Sequence, residues 1–169
     1  MAKNEMKTDG KQYDVLIKQI STLVANSKKR VATTINNTLV ETYWNIGKYI
    51  VEFEQEGSAR AKYGDQLLLN LSKDLTVAFD KGFSKSNLFN MRLFYTRFPI
   101  FQAVPGKLSW THLAEIIRID NELERNFYLA ETVNGNWNSR ELIRQKERGL
   151  FMQLALGKTQ KQILSLSQK

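Results

Sequence analysis

Cysteine is absent from the 169-residue sequence, and histidine occurs only once, at position 112. Without thiols the chain can form no disulfide, no thiolate nucleophile and no cysteine-ligated metal site. A single imidazole also argues against a zinc site or a cysteine–histidine pair, because each needs several such groups. His112 stands near Trp110 in the first turn of a predicted helix, where a structural or capping role is expected. We therefore predict no catalytic residue, no metal and no cofactor.

The sequence also lacks long apolar runs and phosphate-binding motifs. No run approaches the roughly 18 apolar residues that cross a bilayer. The polar start "MAKNEMKTDGKQ" has no apolar core of a signal peptide. Neither a P-loop nor a G-x-G-x-x-G motif occurs. These absences predict a soluble cytoplasmic protein that has no membrane contact and is not an enzyme.

Proline is rare, and this favours helices. Only Pro99 and Pro105 occur, and long stretches have apolar residues at helical spacing without any alternating strand pattern. The fold class is therefore predicted to be all-α, with a polar tail over 1–12, one helical domain over 13–157, and a tail or linker to an absent domain over 158–169. The predicted helices cover about 11–26, 29–55, 65–79, 85–98, 109–118, 121–133 and 138–149.

Acidic residues are scarce in the middle of the chain. Residues 57–114 contain eight Lys or Arg and three Asp or Glu, and from Lys81 to Ala114 there are five cations and no acid. The whole chain has a formal net charge of +8. Basic charge gathered on one element is typical of a protein that binds a polyanion, although a solubilising surface gives the same pattern.

The basic stretch coincides with a predicted helix-turn-helix unit at about 65–98. Gly82 lies in the turn, Ala78 is a small residue four positions earlier, and Ser84 is a good N-cap for the second helix. Val77, Phe83, Leu88 and Met91 occupy positions that are apolar in such units. The following "FQAVPGKLSW" fits either a small hairpin, which would make the unit winged, or a loop.

A helical wheel divides the second helix of this unit into a core face and an outer face. Leu88, Met91, Phe94, Tyr95 and Phe98 form the core arc, and Leu93 falls on the outer arc with Phe89. The predicted site for double-stranded DNA, with phosphate contacts from its cations, consists of Lys81, Ser84, Lys85, Ser86, Phe89, Asn90, Arg92 and Arg97. The alternative is a protein-interaction or homodimerisation surface on the exposed face of helix 85–98, centred on Phe89 and Leu93.

A second, weaker basic face is predicted on the helix that follows "NGNWNS". Its cations are Arg140, Arg144, Lys146 and Arg148. Glu141 and Glu147 are interleaved with them, so Glu141 can pair with Arg144 or Gln145 on a solvated face. Nucleic-acid contact here is the less favoured reading.

Five ordered stretches resemble one bacterial family. They are "INNTLVETYWNIGKYI", "YGDQLLLNLSKDL", "GFSKSNLFNMRLFYTRFP", "LSWTHL" and "NWNSRELIRQ". Together they are similar to the N-terminal domain of the YhcG-like family, over about residues 13–157. The resemblance implies an all-helical, helix-turn-helix-like domain that precedes a nuclease domain of the PD-(D/E)XK type. It implies a DNA-binding or targeting module, and the family's nuclease residues have no counterpart in this sequence.

Overall fold

The computed structural model describes residues 2–55 and 64–156, with side chains described over 12–55 and 66–156. Every regular element in these ranges is a helix, which confirms the all-α fold class. The elements are α1 (Ala2–Gln55), α2 (Gly64–Phe79), α3 (Lys85–Arg97), a 3-10 turn (Phe101–Ala103), α4 (Trp110–Ile116), α5 (Glu122–Asn134), α6 (Ser139–Glu147) and α7 (Leu150–Ala155).

The prediction of two helices before residue 55 is wrong, because α1 continues without a break from Ala2 to Gln55. The basic stretch "SKKR" and its neighbours include no proline or glycine between Lys11 and Ile46. Lysine and arginine are good helix formers, and one serine costs little. Nothing local therefore interrupts the helix. Residues that were predicted to be a polar tail also belong to it.

Contacts between residues group the chain into two units, Met1–Thr38 and Leu39–Lys169, whereas the sequence predicted one domain over 13–157. In the first unit, the described side chains from Gln12 onward are exposed apart from a half-buried Asn36. The apolar side chains of its predicted first helix, which include Val15, Leu16, Ile20, Leu23 and Val24, are therefore not part of the core of the described structure. Their exposed fractions lie between 46% and 66%.

The second unit contains the core, which has two clusters of buried side chains. The larger includes Val40, Phe94, Leu113, Ile116, Ile117, Phe127, Tyr128 and Leu142. The smaller consists of Ile50, Leu68, Leu88 and Met91. Helix α3 contributes to both, with Phe94 in the larger cluster and Leu88 and Met91 in the smaller. This double contribution fixes the position of α3 on the domain.

Gly47 allows α1 and α3 to approach closely. A Cβ atom added at Gly47 would lie 2.0 Å from the carbonyl oxygen of Met91, which is backbone and cannot move aside easily. The crossing of the two helices therefore requires glycine at this position. Trp44, three residues earlier, donates its indole N–H to the carbonyl oxygen of Phe98 at 2.7 Å and so ties the end of α3 to α1.

The Pro-Gly stretch after α3 forms a loop that includes the 3-10 turn at Phe101–Ala103. No strand is present in residues 64–156, so the hairpin reading of this stretch is wrong for the described structure. Among the described helices, none is long and apolar enough to cross a membrane.

Candidate nucleic-acid interface

The turn between α2 and α3 has a left-handed backbone at two positions. Asp80 has φ 66° and Gly82 has φ 103°. Glycine adopts this conformation without cost, and aspartate tolerates it better than most residues. The turn joins α2 to α3 through five residues, 80–84, and Lys81 and Ser84 in it are exposed.

Asn87 holds this turn in place. Its amide Nδ2 donates to the carbonyl oxygen of Gly82 at 2.6 Å, and its Oδ1 accepts the indole N–H of Trp110 at 2.8 Å. Its backbone N–H donates to the hydroxyl of Ser84 at 3.2 Å, which confirms Ser84 as the N-cap. Asn87 was not among the residues predicted to form the site. One signal in the sequence could have identified it: Asn87 lies three residues after the cap residue Ser84, close to the glycine turn.

Five of the eight predicted site residues lie exposed around the beginning of α3. They are Lys81, Ser84, Lys85, Ser86 and Phe89. No acidic residue occurs in the first turn of α3. The positive end of the helix dipole and the two lysines therefore act in the same direction on an approaching anion.

Asn90 and Leu93 do not lie where the helical wheel placed them. Asn90 is only 5% exposed, and its Oδ1 accepts a hydrogen bond from Nε of Arg118 at 3.3 Å. Leu93 is half-buried against the larger core cluster. The predicted exposure of both residues is therefore wrong, because α4 and the segment after it cover this part of α3. Phe89 is 46% exposed, as predicted for the outer face.

The two arginines of α3 have acidic partners that are distant in sequence. Nε of Arg92 lies 3.2 Å from a carboxylate oxygen of Glu54 on α1. The Arg92 guanidinium also lies 5.9 Å from the ring centre of Phe89. Arg97 binds the carboxylate of Asp120 at 2.7 Å. Both cations are thus partly neutralised within the domain, and neither is as available to a phosphate as the sequence suggested.

The second basic face is neutralised in a similar way. Arg144 and Gln145 both donate to the Glu141 carboxylate, as the spacing predicted, and these bonds hold the pKa of Glu141 below its usual range. Lys146 binds Glu115 of α4 at 3.0 Å. Arg140 and Arg148 are exposed. Arg148, the residue just after α6, also acts electrostatically on Glu141.

His112 has the structural role that the sequence predicted. Its Nδ1 accepts the backbone N–H of Ser109 at 3.1 Å and so caps α4. Its Nε2 lies 3.1 Å from the carbonyl oxygen of Trp137, which fits a neutral ring that donates from Nε2. Burial lowers the pKa of His112 and keeps the ring neutral. Among the described residues, no group of three or more acidic or histidine side chains could hold a metal ion.

The sequence was compared with known protein families, known proteins and solved structures. Residues 19–153 match the family described as the DUF1016 N-terminal domain. The chain belongs to the DUF1016 N-terminal domain family. It is 35% identical, over 155 residues, to a protein of Escherichia coli K12 named "Putative nuclease YhcG". The match covers 73% of this chain and 41% of that protein, so the chain spans less than half the length of the relative. No solved structure matches the chain.

The DUF1016 match confirms the family that the five ordered stretches indicated. It covers α2, α3 and the turn between them, together with the helices that bury one side of α3. The beginning of α3 is therefore part of the matched domain and lies on its surface, on a scaffold formed by α1, α2 and α4. This arrangement provides a basic and exposed surface.

Proposed function

We propose that this DUF1016 N-terminal domain binds double-stranded DNA through Lys81 and the first turn of α3. We also propose that it serves a nuclease-family protein as a targeting module. The observation that carries the proposal is the exposed group of Lys81, Ser84, Lys85 and Ser86 at the beginning of α3, within a stretch of 34 residues that contains no acid. Helix beginnings with small polar residues and cations suit contact with phosphates.

The path of the chain supports a helix-turn-helix unit. Helix α2, a short turn through Asp80 and Gly82, and α3 follow one another as in that motif. In such units the beginning of the second helix contacts base edges, and here Lys85 and Ser86 would do so. Gly82 has no side chain, and Ser84 and Ser86 have small ones, so the backbone here could approach a duplex closely.

One position departs from the helix-turn-helix pattern. The pattern expects Val77 to be buried, but Val77 is 90% exposed. The last turn of α2 therefore lacks the covering contact that the motif normally has. Phe83 is half-buried, and Leu88 and Met91 are fully buried, as the pattern requires. The support for the unit thus comes from the turn and from α3.

The ion pairs determine how strongly salt should weaken the binding. Four phosphate contacts would give a slope of log K against log salt of about −3.6, because each phosphate contributes about −0.9. Glu54 and Asp120 already neutralise Arg92 and Arg97. Two contacts, from Lys81 and Lys85, would give about −1.8. Between 50 and 200 mM salt, affinity should then fall about 12-fold rather than about 150-fold.

A protein-docking function is the second candidate, and exposed apolar groups favour it. Val77 is 90%, Phe79 66% and Phe89 46% exposed, and all three belong to α2 or α3. A partner chain would bury these side chains, and its binding would depend little on salt. DNA remains the preferred ligand because Lys81 and Lys85 are exposed and no acid occurs from Lys81 to Ala114.

Fluorescence anisotropy of a labelled duplex, titrated with the chain at several salt concentrations, separates the two functions. The DNA proposal expects saturable binding at low salt and a slope near −1.8. Absence of binding at low salt, or binding that salt leaves unchanged, would reject it. As a control, Phe89→Ser should alter duplex binding much less than Lys85→Gln if phosphates dominate the affinity.

We further propose that this chain performs no chemistry of its own. Metal-dependent phosphodiester cleavage needs carboxylates that converge on one or two ions. The acids nearest to the proposed DNA surface are either engaged, as Glu54 and Asp120 are, or single, as Asp80 is at the turn. Incubation of the purified chain with duplex DNA and Mg²⁺ or Mn²⁺ should give no cleavage. Cleavage that disappears when one carboxylate is changed would reject this proposal.

A further inference from the structure

The first unit of the chain has an apolar surface that nothing in the described structure covers. Its large apolar side chains between Tyr13 and Ile35 are 45% to 66% exposed. Eight of them form what we call the α1 stripe: Tyr13, Leu16, Ile17, Ile20, Leu23, Val24, Val31 and Ile35. A helix this apolar on one side normally packs against another element.

The α1 stripe is straight and continuous. Tyr13, Val24 and Ile35 are separated by intervals of eleven residues, and so are Ile20 and Val31. An eleven-residue repeat keeps side chains on one side of a nearly straight helix. At 100° per residue the eight side chains occupy an arc of about 120°, over a length of about 33 Å. No charged residue lies within this arc, since Lys28 and Arg30 fall just beyond its two edges.

We propose that the α1 stripe is the contact with a second copy of this chain, whose own residues 13–35 pack against it. A two-fold contact uses the same surface twice, so a long stripe without internal charge is complementary to itself. Lys28 and Arg30 would remain at the solvated rim of such a pair, with their aliphatic stems covering its edges. A polyanion would instead require cations within the arc.

The area of the α1 stripe is sufficient for a stable pair of helices. A fully buried aliphatic side chain corresponds to about 60–120 Å² of apolar surface, so eight half-exposed side chains offer about 400 Å² on each copy. Two copies would bury about 800 Å² of apolar surface. If apolar atoms make up about 60% of the contact, the total is about 1,300 Å². Specific protein interfaces bury about 1,200–2,000 Å² in total.

Two valines of α1 form a matched pair for the test. Val24 lies within the α1 stripe and is 46% exposed, whereas Val15 is 56% exposed and lies outside it. They are nine residues apart, which places them about 180° apart around the helix. Val24→Glu and Val15→Glu therefore make the same chemical change on opposite sides of one helix. Circular dichroism of both variants checks that the helical content is unchanged.

Sedimentation equilibrium of the whole 169-residue chain measures self-association over a range of concentrations. We expect the unchanged chain and Val15→Glu to form dimers with similar Kd values. Val24→Glu should raise Kd at least about 100-fold, because each dimer would bury two carboxylates. A monomeric unchanged chain at concentrations of about 100 μM would overturn the proposal and favour a different protein as the occupant. Equal effects of the two substitutions would also overturn it.

Discussion

Helices α3 and α6 are both short and basic, and each begins at a polar cap residue. They differ in where the acidic partners of their cations lie. In α6, Arg144 pairs with Glu141 of the same helix, and only Lys146 binds an acid of another helix, Glu115 of α4. In α3, Arg92 and Arg97 pair with Glu54 and Asp120, which lie on other segments of the domain. The ion pairs of α3 therefore connect it to its surroundings, whereas that of Arg144 is local.

Burial separates the two helices further. Helix α3 has four buried residues, Leu88, Asn90, Met91 and Phe94, whereas α6 buries only Leu142. Most of α3 is thus occupied by contacts within the domain, and its beginning is the part that remains exposed. The comparison shows that a count of cations along a helix overestimates the number available to a ligand. The position of the acidic partners decides which cations are available.

The largest expected effect concerns the two faces of α3. Phe94 is fully buried and Phe89 is 46% exposed, so the same substitution can be compared on both sides of one helix. Phe94→Ala should lower the free energy of unfolding by about 3–5 kcal/mol, as in other emptied cores. Phe89→Ala should cost less than about 1 kcal/mol. Urea denaturation measures both, and equal losses would show that the Phe89 face is buried and unable to bind DNA.

A smaller effect should distinguish the ion pairs of α3 and α6. The Glu54 side chain is 16% exposed, and its Oε1 is buried without a hydrogen-bond partner in the described structure. Arg92→Gln would leave this carboxylate less compensated and should cost about 1–2 kcal/mol of unfolding free energy. Arg144→Gln on the exposed surface of α6 should cost less than about 0.5 kcal/mol. If the two losses were similar, the contrast between connecting and local pairs would fail.

The smallest expected effect is a pH dependence of stability that arises from Glu141 on α6. Hydrogen bonds from Arg144 and then Gln145 lower the pKa of Glu141 from its ordinary value of 4.5. A carboxyl whose pKa is lower in the folded state stabilises the fold above the ordinary pKa. That contribution is lost as pH falls through the folded pKa. The melting temperature of Glu141→Gln should therefore decline less below pH 4.5 than that of the unchanged chain. Identical declines would contradict the proposed hydrogen bonds.

Local signals in the sequence predicted much of this structure. Apolar spacing located α2 to α6 to within a few residues but did not predict α7, and Ser84 was correctly identified as a cap. The pairing of Glu141 with Arg144 was predictable because the two residues are three apart on one helix. Each of these features depends on residues that are close in sequence.

Features that depend on distant residues were not predictable. Asn90 is polar and falls on the outer arc, yet Arg118, 28 residues later, covers it and bonds to it. Glu54 and Asp120 neutralise the arginines of α3 from outside the acid-free stretch. The burial of an amphipathic helix also depends on a partner, so apolar spacing alone did not show whether residues 13–35 of α1 are buried or exposed. A single sequence does not show which segments meet.

The central claim is that DNA binds at the beginning of α3 and not along α6. The most direct test is the salt dependence of duplex binding for two double variants, Lys81→Gln with Lys85→Gln and Arg140→Gln with Arg148→Gln, each of which removes two exposed cations. The first should reduce the slope of log K against log salt from about −1.8 to near zero, and the second should leave it unchanged. A slope that decreases equally in both, or only in the α6 variant, would contradict the claim.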